Sequence, residues 1–451
     1  MATIKLKKGY NLNLEGSIAT STVASAPAPK LCGIVPDDFW GVTPRMEKQV
    51  GDHVAAGEAL YHDKKHEEVK VVSPVSGVVK AVNRGDRRKI ESIEIACDGS
   101  DIRHKPRLDA GVKAALLESG LWVMLRQRPY DIVPDPDVTP RDIFVTCFDS
   151  APLAPDLLLV TGDKQHYIKK GVEALASLTS GKVYLGCAPG HVIEVEGAET
   201  NVFDGPHPAG NAGVQINNVK PVNKGEVVWT LDVVTLARIG ELLATGMAGF
   251  DTIVAVDGSE VATPQYVKTV MGSPVADLVE GNIAGDSKLN KRYISGNVLT
   301  GSKVDPETGY LRAPYRQVTV IPENDHPDEF MGWASLSPKK FSIYRDFTGW
   351  LLGRRRKKVK MDARLQGGER AIVMSGEYDR MLPMDIYPEF LIKSIIAFDI
   401  DKMEQLGIYE VAPEDFALAE YADTSKLELQ RIVRQGLDKM KKEMEQTTMR
   451  Q

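Results

Sequence analysis

A chain of 451 residues, 43% hydrophobic and 26% charged, has globular composition and enough length for roughly three or four domains at about 100–150 residues each. The formal net charge of −6 is small for this size and argues against nucleic acid as a partner. Met1–Gly16 lacks the long apolar stretch of a secretory signal. The best apolar runs, Leu157–Val160 and Phe390–Ile400, are short or broken by charge, so no transmembrane span is expected. Any membrane role must come through partners or surface contact.

Residues 1–105 read as a strand-rich domain. Val50-Gly51-Asp52-His53-Val54-Ala55-Ala56-Gly57 and Ser73-Pro74-Val75-Ser76-Gly77-Val78 are short runs broken by Gly-Asp and Pro-x-x-Gly turns, the mark of tight hairpins. The pattern resembles the barrel-sandwich of biotinyl and lipoyl carrier domains. Between the halves lies Tyr61–Glu68, where a carrier presents its modified lysine. Lys64 and Lys65 are present, but the carrier signatures around them are not, so a solvated hairpin is the favoured reading and a modified arm the alternative.

Residues 106–250 alternate strand and helix. A helix is expected over Gly111–Leu125, followed by a Pro-rich linker at Pro129–Pro140. Ile143–Cys147, Leu157–Val160 and Val183–Cys187 read as strands. His166–Ser180 reads as a helix, because Ile168, Val172, Leu175 and Leu178 recur at helical spacing. This β-α-β order predicts a parallel, Rossmann-like sheet. The turn Thr161-Gly162-Asp163-Lys164 lacks both G-x-G-x-x-G and a P-loop, so nothing indicates a dinucleotide. The loop 204–213 contains Pro206, His207, Pro208, Gly210 and Gly213, whose small and rigid residues allow close backbone approach. It is either a tight structural loop or a contact for a ligand or a neighbouring protein.

Residues 251–345 read as a small α+β unit with strands at Thr252–Val256, Tyr293–Val298 and Gln317–Ile321 and a helix at Pro274–Glu280. An aromatic stripe follows (Phe341, Tyr344, Phe347, Trp350), then a basic run from Arg354 to Lys360 that is either a solvated linker or a contact for an acidic partner or lipid head groups. Residues 346–451 read as a helical domain. One helix is expected within Met384–Gln405 and another at Pro413–Tyr421. A third carries Leu429, Ile432, Val433, Leu437, Met440 and Met444 on one face.

No catalytic set is recognisable: H-E-x-x-H, G-x-S-x-G and H-x-E with C-x-x-C are all missing. Cys32, Cys97, Cys147 and Cys187 are too scattered for a metal knuckle or dithiol and read as core residues of a reduced, cytosolic protein. His62 and His66 lie four apart, but on a hairpin rather than a helix, so no metal is expected there.

Four further stretches carry a resemblance over essentially the whole chain. They are Gly181–Leu185 with Ala188-Pro189-Gly190, Gly205–Gly213 with Pro221-Val222-Asn223, Ile294-Ser295-Gly296-x-Val298-Leu299-x-Gly301, and Arg380-Met381-x-Pro383-Met384-Asp385-Ile386-x-Pro388. With the order of parts, they resemble the NqrA family of bacterial Na+-translocating NADH:quinone oxidoreductases. The RnfC family and the NADH-binding flavoprotein of respiratory complex I are related. The resemblance implies a multidomain α/β plus α+β chain: barrel-sandwich, Rossmann-like, β-grasp (SLBB-like) and degenerate ferredoxin-like helical domains. In the Rnf relative the tail holds a [4Fe–4S] cluster. Its four cysteine positions fall here on Ile372, Ser375, Tyr378 and Leu382, and the second cluster stretch falls near Ala419–Asp423. The resemblance therefore implies a cofactor-free peripheral component at the cytoplasmic face of the inner membrane, set against the membrane component NqrB. NADH, flavins and iron–sulfur centres lie on other components of the complex. His207 is a candidate hydrogen-bond donor to quinone, with ubiquinone and menaquinone equally compatible. The competing readings are an active NADH or flavin dehydrogenase, a biotinyl or lipoyl carrier, and a pure assembly scaffold.

Overall fold

The computed structural model describes residues 1–284, 290–324, 340–344, 358–372 and 376–450, with side chains to residue 446. Phe347, Trp350, Arg354–Lys357 and Ser375 lie outside the described residues.

The barrel-sandwich is built from two antiparallel sheets. One runs Leu31–Ile34, Ile90–Cys97, Gly77–Arg84, His53–Val54; the other runs Pro44–Met46, Ala59–Asp63, Lys70–Val72. The turns read in the sequence shape it locally: Asp52 accepts the Gln49 N–H at 2.7 Å, and the Ser73 hydroxyl donates to Val75 O at 2.6 Å. Val54, Leu60, Tyr61, Val79, Ile93 and Ile95 are fully buried and form its core.

A six-stranded sheet follows, in the order Ala2–Lys5, Ala198–Asp204, Val183–Cys187, Asp142–Thr146, Val228–Asp232, Arg126–Arg128. Every pairing is parallel except the last. The parallel sheet expected from the β-α-β pattern is therefore present. Helices Ile168–Ala176 and Val233–Thr245 pack together on it, the second ended by Gly246 in the left-handed conformation at φ 75°.

Leu157–Val160 is not a strand. It forms the helix Leu157–Thr161, because the Asp156 carboxylate accepts the N–H groups of Leu158 and Leu159 at its start. A four-residue apolar run is buried equally well by either structure, and only the cap decides. Asp156→Ala is expected to cost about 1 kcal/mol of stability, measured by urea unfolding. The expected Gly111–Leu125 helix is shorter, ending at Glu118 before a separate 3-10 turn at Trp122–Met124.

A second six-stranded sheet has the order Ser302–Val304, Lys291–Ser295, Gln317–Pro322, Asp251–Asp257, Gln265–Val270, Val23–Ser25. The segment before the barrel thus supplies an edge strand to each large sheet. The turn after Ser295 is structural: Asn297 Oδ1 accepts the N–H groups of Leu299 and Thr300 at 2.8 and 2.9 Å. The tail packs helices Glu377–Met381, Pro388–Ala397, Ile400–Gln405, Ala417–Ala422 and Leu429–Arg450 around Leu391, Phe416, Leu418, Val433, Leu437 and Met440. The single helix expected within Met384–Gln405 is two, broken at Phe398 in the left-handed conformation (φ 53°). Tyr378 and Leu382 are buried in this core and Ile372 packs against it, so apolar side chains fill the space at these aligned positions.

Candidate functional site

The loop 204–213 sits at the carboxyl ends of the parallel strands, the edge where open α/β sheets take ligands. It joins strand Ala198–Asp204 to helix Ala212–Val219. Pro206 is half-buried, whereas Pro208, Gly210 and Gly213 are buried. His207 is 4% exposed. Its backbone is gripped by the N-terminal segment: its N–H donates to Asn11 Oδ1 at 2.8 Å, and its carbonyl accepts the Tyr10 N–H at 2.9 Å.

The ring is equally constrained. Nδ1 lies 3.0 Å from the Ser150 hydroxyl, which also accepts the Gly210 N–H at 2.8 Å. The hydroxyl can donate to Nδ1 or accept from it, and the Ser150 backbone also draws a ring N–H, so the contact anchors Nδ1 in either tautomer. Among the described residues Nε2 is buried without a hydrogen-bond partner. Burial pushes the His207 pKa down to about 4, so the ring is neutral near pH 7. The site therefore offers one buried, neutral ring nitrogen that no described residue engages.

Beside it lies a group of charges, with Arg128 and Asp415 buried and Glu414 exposed. Arg128 is 1% exposed and reaches Asp415 Oδ2 at 3.2 Å and Glu414 Oε1 at 3.0 Å. Asp415 is fully buried and also accepts the Ala412 N–H at 2.8 Å. The Glu414 side chain keeps 45% exposure; partial loss of water and the neighbouring carboxylates raise its pKa against the pull of Arg128. Asn211 ties the loop to this group, its amide donating to the Glu414 carbonyl at 3.2 Å. Gly213 is required by the same contact, since a Cβ there would collide with the Asp415 carboxylate.

The structure thus joins the loop residues read from the sequence to Asn11, Arg128, Ser150, Glu414 and Asp415, which the sequence reading did not nominate. Pro413 and its acidic neighbours were legible only as a helix start. Elsewhere, Arg316 reaches the carboxyl end of Val228–Asp232, pairing with Asp232 at 2.8 Å. It stands where the strand order of the sheet reverses. Lys64 and Lys65 are exposed on the barrel hairpin, Lys65 facing Glu445 at 3.4 Å. His62 and His66 do not converge, since His62 pairs with Glu47 at 2.8 Å.

Three family models match the chain. The NqrA N-terminal barrel-sandwich hybrid domain covers residues 4–98, the NqrA second alpha/beta domain covers 108–248, and the NQRA C-terminal domain covers 253–305. The NqrA protein of the Na(+)-translocating NADH-quinone reductase of Neisseria meningitidis serogroup B is 34% identical, over 98% of this chain and 100% of that one. Its counterparts in Saccharophagus degradans and Shewanella frigidimarina are 36% and 35% identical over the same shares. A solved NAD+-reducing [NiFe]-hydrogenase is 13% identical, with a TM-score of 0.36 over 74% of this chain and 61% of its own. By its identity over nearly every residue and by its matched domains, the chain belongs to the NqrA family of Na(+)-translocating NADH-quinone reductases.

Proposed function

We propose that this chain is the peripheral NqrA component of a complex that couples NADH oxidation and quinone reduction to Na+ export, and that it binds no flavin or iron–sulfur cluster itself. Identity over nearly the full length of its relatives is the observation that carries this reading. Among the described residues no helix is long and apolar enough to cross a membrane, which suits a protein held on the cytoplasmic face by the membrane component NqrB.

Within that role, loop 204–213 is the candidate contact for quinone or for a neighbouring component of the complex, with His207 as donor to a quinone carbonyl. The buried, unpartnered Nε2 of a neutral ring anchored by Ser150 supports this choice. In the assembled complex, His207→Ala is expected to lower kcat/KM for quinone about five- to tenfold, the worth of one hydrogen bond. NADH oxidation by an artificial acceptor should stay unchanged. An unaltered rate and Michaelis constant for quinone would remove His207 from the site.

A second reading rests on burial. Residues 9–11 cover the loop backbone and Asp415 packs against Gly213, so the loop also fits a joint between the α/β domain and the tail. In that case the same substitution weakens the chain while leaving quinone kinetics intact.

A further inference from the structure

We propose that His66, Asp135 and Asp137 bind a first-row divalent cation of the zinc class, clamping the barrel hairpin to the linker that leads into the α/β domain. Sequence spacing hides this set, because its histidine and its two aspartates come from different domains. The fold brings one ligand atom from each within 4.8 Å of the others.

The His66 ring carries the argument. Its side chain is only 17% exposed, yet among the described residues neither ring nitrogen has a partner at hydrogen-bond distance. Nε2 stands 3.7 Å from Asp135 Oδ1, and Nδ1 stands 3.9 Å from Glu68 Oε1. Two other histidines of the same domain behave differently: His53 meets Asp98, and His62 meets Glu47, each at 2.8 Å. Those are ordinary charge-assisted hydrogen bonds. A stand-off of 3.7 Å is too long for one. It is close to the separation of neighbouring ligands around a metal whose bonds are about 2.0–2.2 Å.

The frame is fixed on both sides. The His66 N–H donates to Asp63 Oδ2 at 3.1 Å, and its carbonyl accepts the Val69 N–H at 3.0 Å. Asp135 is held by Gln127, its N–H donating to Oε1 at 3.3 Å, while its Oδ1 accepts the Asp137 N–H at 2.9 Å. Asp137 is exposed and free to turn its carboxylate inward. One imidazole with two carboxylates suits zinc and its neighbours better than calcium or magnesium, which prefer all-oxygen sets.

The test uses the full chain. Zn2+ is titrated calorimetrically, and Co2+ is added as a spectroscopic probe. The expected result is one site, with Co2+ giving the intense visible bands of a low-coordinate nitrogen–oxygen environment. His66→Ala and the exposed, fold-neutral Asp137→Asn should each weaken Zn2+ at least tenfold, whereas the surface control His191→Ala should not. Zn2+ should raise the melting temperature of the wild type and leave that of His66→Ala unmoved. Wild-type affinity equal to that of both site variants would overturn the proposal, as would the pale spectrum of hydrated Co2+.

Discussion

Replacing Arg128 with methionine is expected to cost about 3–5 kcal/mol of stability, read as a lower urea midpoint with an unchanged slope. The guanidinium is the only basic group in contact with the fully buried Asp415 carboxylate among the described residues, and it also holds Glu414 at 3.0 Å and faces Asp131 at 3.8 Å. Methionine fills much of the same volume, so the loss isolates charge rather than a cavity. What remains is the fully buried Asp415 carboxylate without its cation, in a setting that solvates charge poorly, while Arg434 still faces Asp131 at 3.9 Å. Adding Asp415→Asn to the methionine variant should recover part of the loss, because the neutral amide removes the uncompensated charge while keeping the Ala412 contact. A cost under about 1 kcal/mol for the single change would mean that water reaches the cluster and screens it. The measurement also bears on the loop, since Asn211 and Gly213 rest on Glu414 and Asp415.

Much of the architecture was legible because it is encoded locally. The barrel turns are set by Gly51, Asp52, Ser73 and their near neighbours, and the helix Ile168–Ala176 shows its apolar stripe directly. Non-local pairing was not legible. Strand Ala2–Lys5 pairs with Ala198–Asp204, and Val23–Ser25 pairs with Gln265–Val270. Both are short edge strands with little buried surface, so their alternation carries almost no signal. The loop around His207 stood out by its prolines and glycines, but its meaning comes from Ser150, Asn11 and Asp415. The bond between Asn211 and the Glu414 carbonyl spans 203 positions, and nothing in a single chain marks residues that far apart as neighbours.

The second large effect is acid lability centred on His207. Its folded pKa is pushed down to about 4 from an ordinary 6.5, because burial disfavours the charged ring. Between those values the unfolded chain holds a proton that the folded chain refuses. Stability therefore rises with pH across that window and is lost as pH falls from about 6.5 to about 4, by roughly 3 kcal/mol at the lower end. The carboxylates nearby titrate too, so the prediction is a difference. His207→Asn keeps a group that can accept from Ser150 but cannot take up the proton. At pH 7 this variant should be less stable than the wild type by about 1–2 kcal/mol, from lost packing. As pH drops toward 4 the gap should close and then reverse, while Glu414, Asp415 and Asp149 contribute equally to both proteins and cancel. A gap that stays constant from pH 7 to pH 4 would mean that the ring takes up its proton without cost. Nε2 would then be reachable by water, and the dry, neutral donor invoked for quinone would not exist.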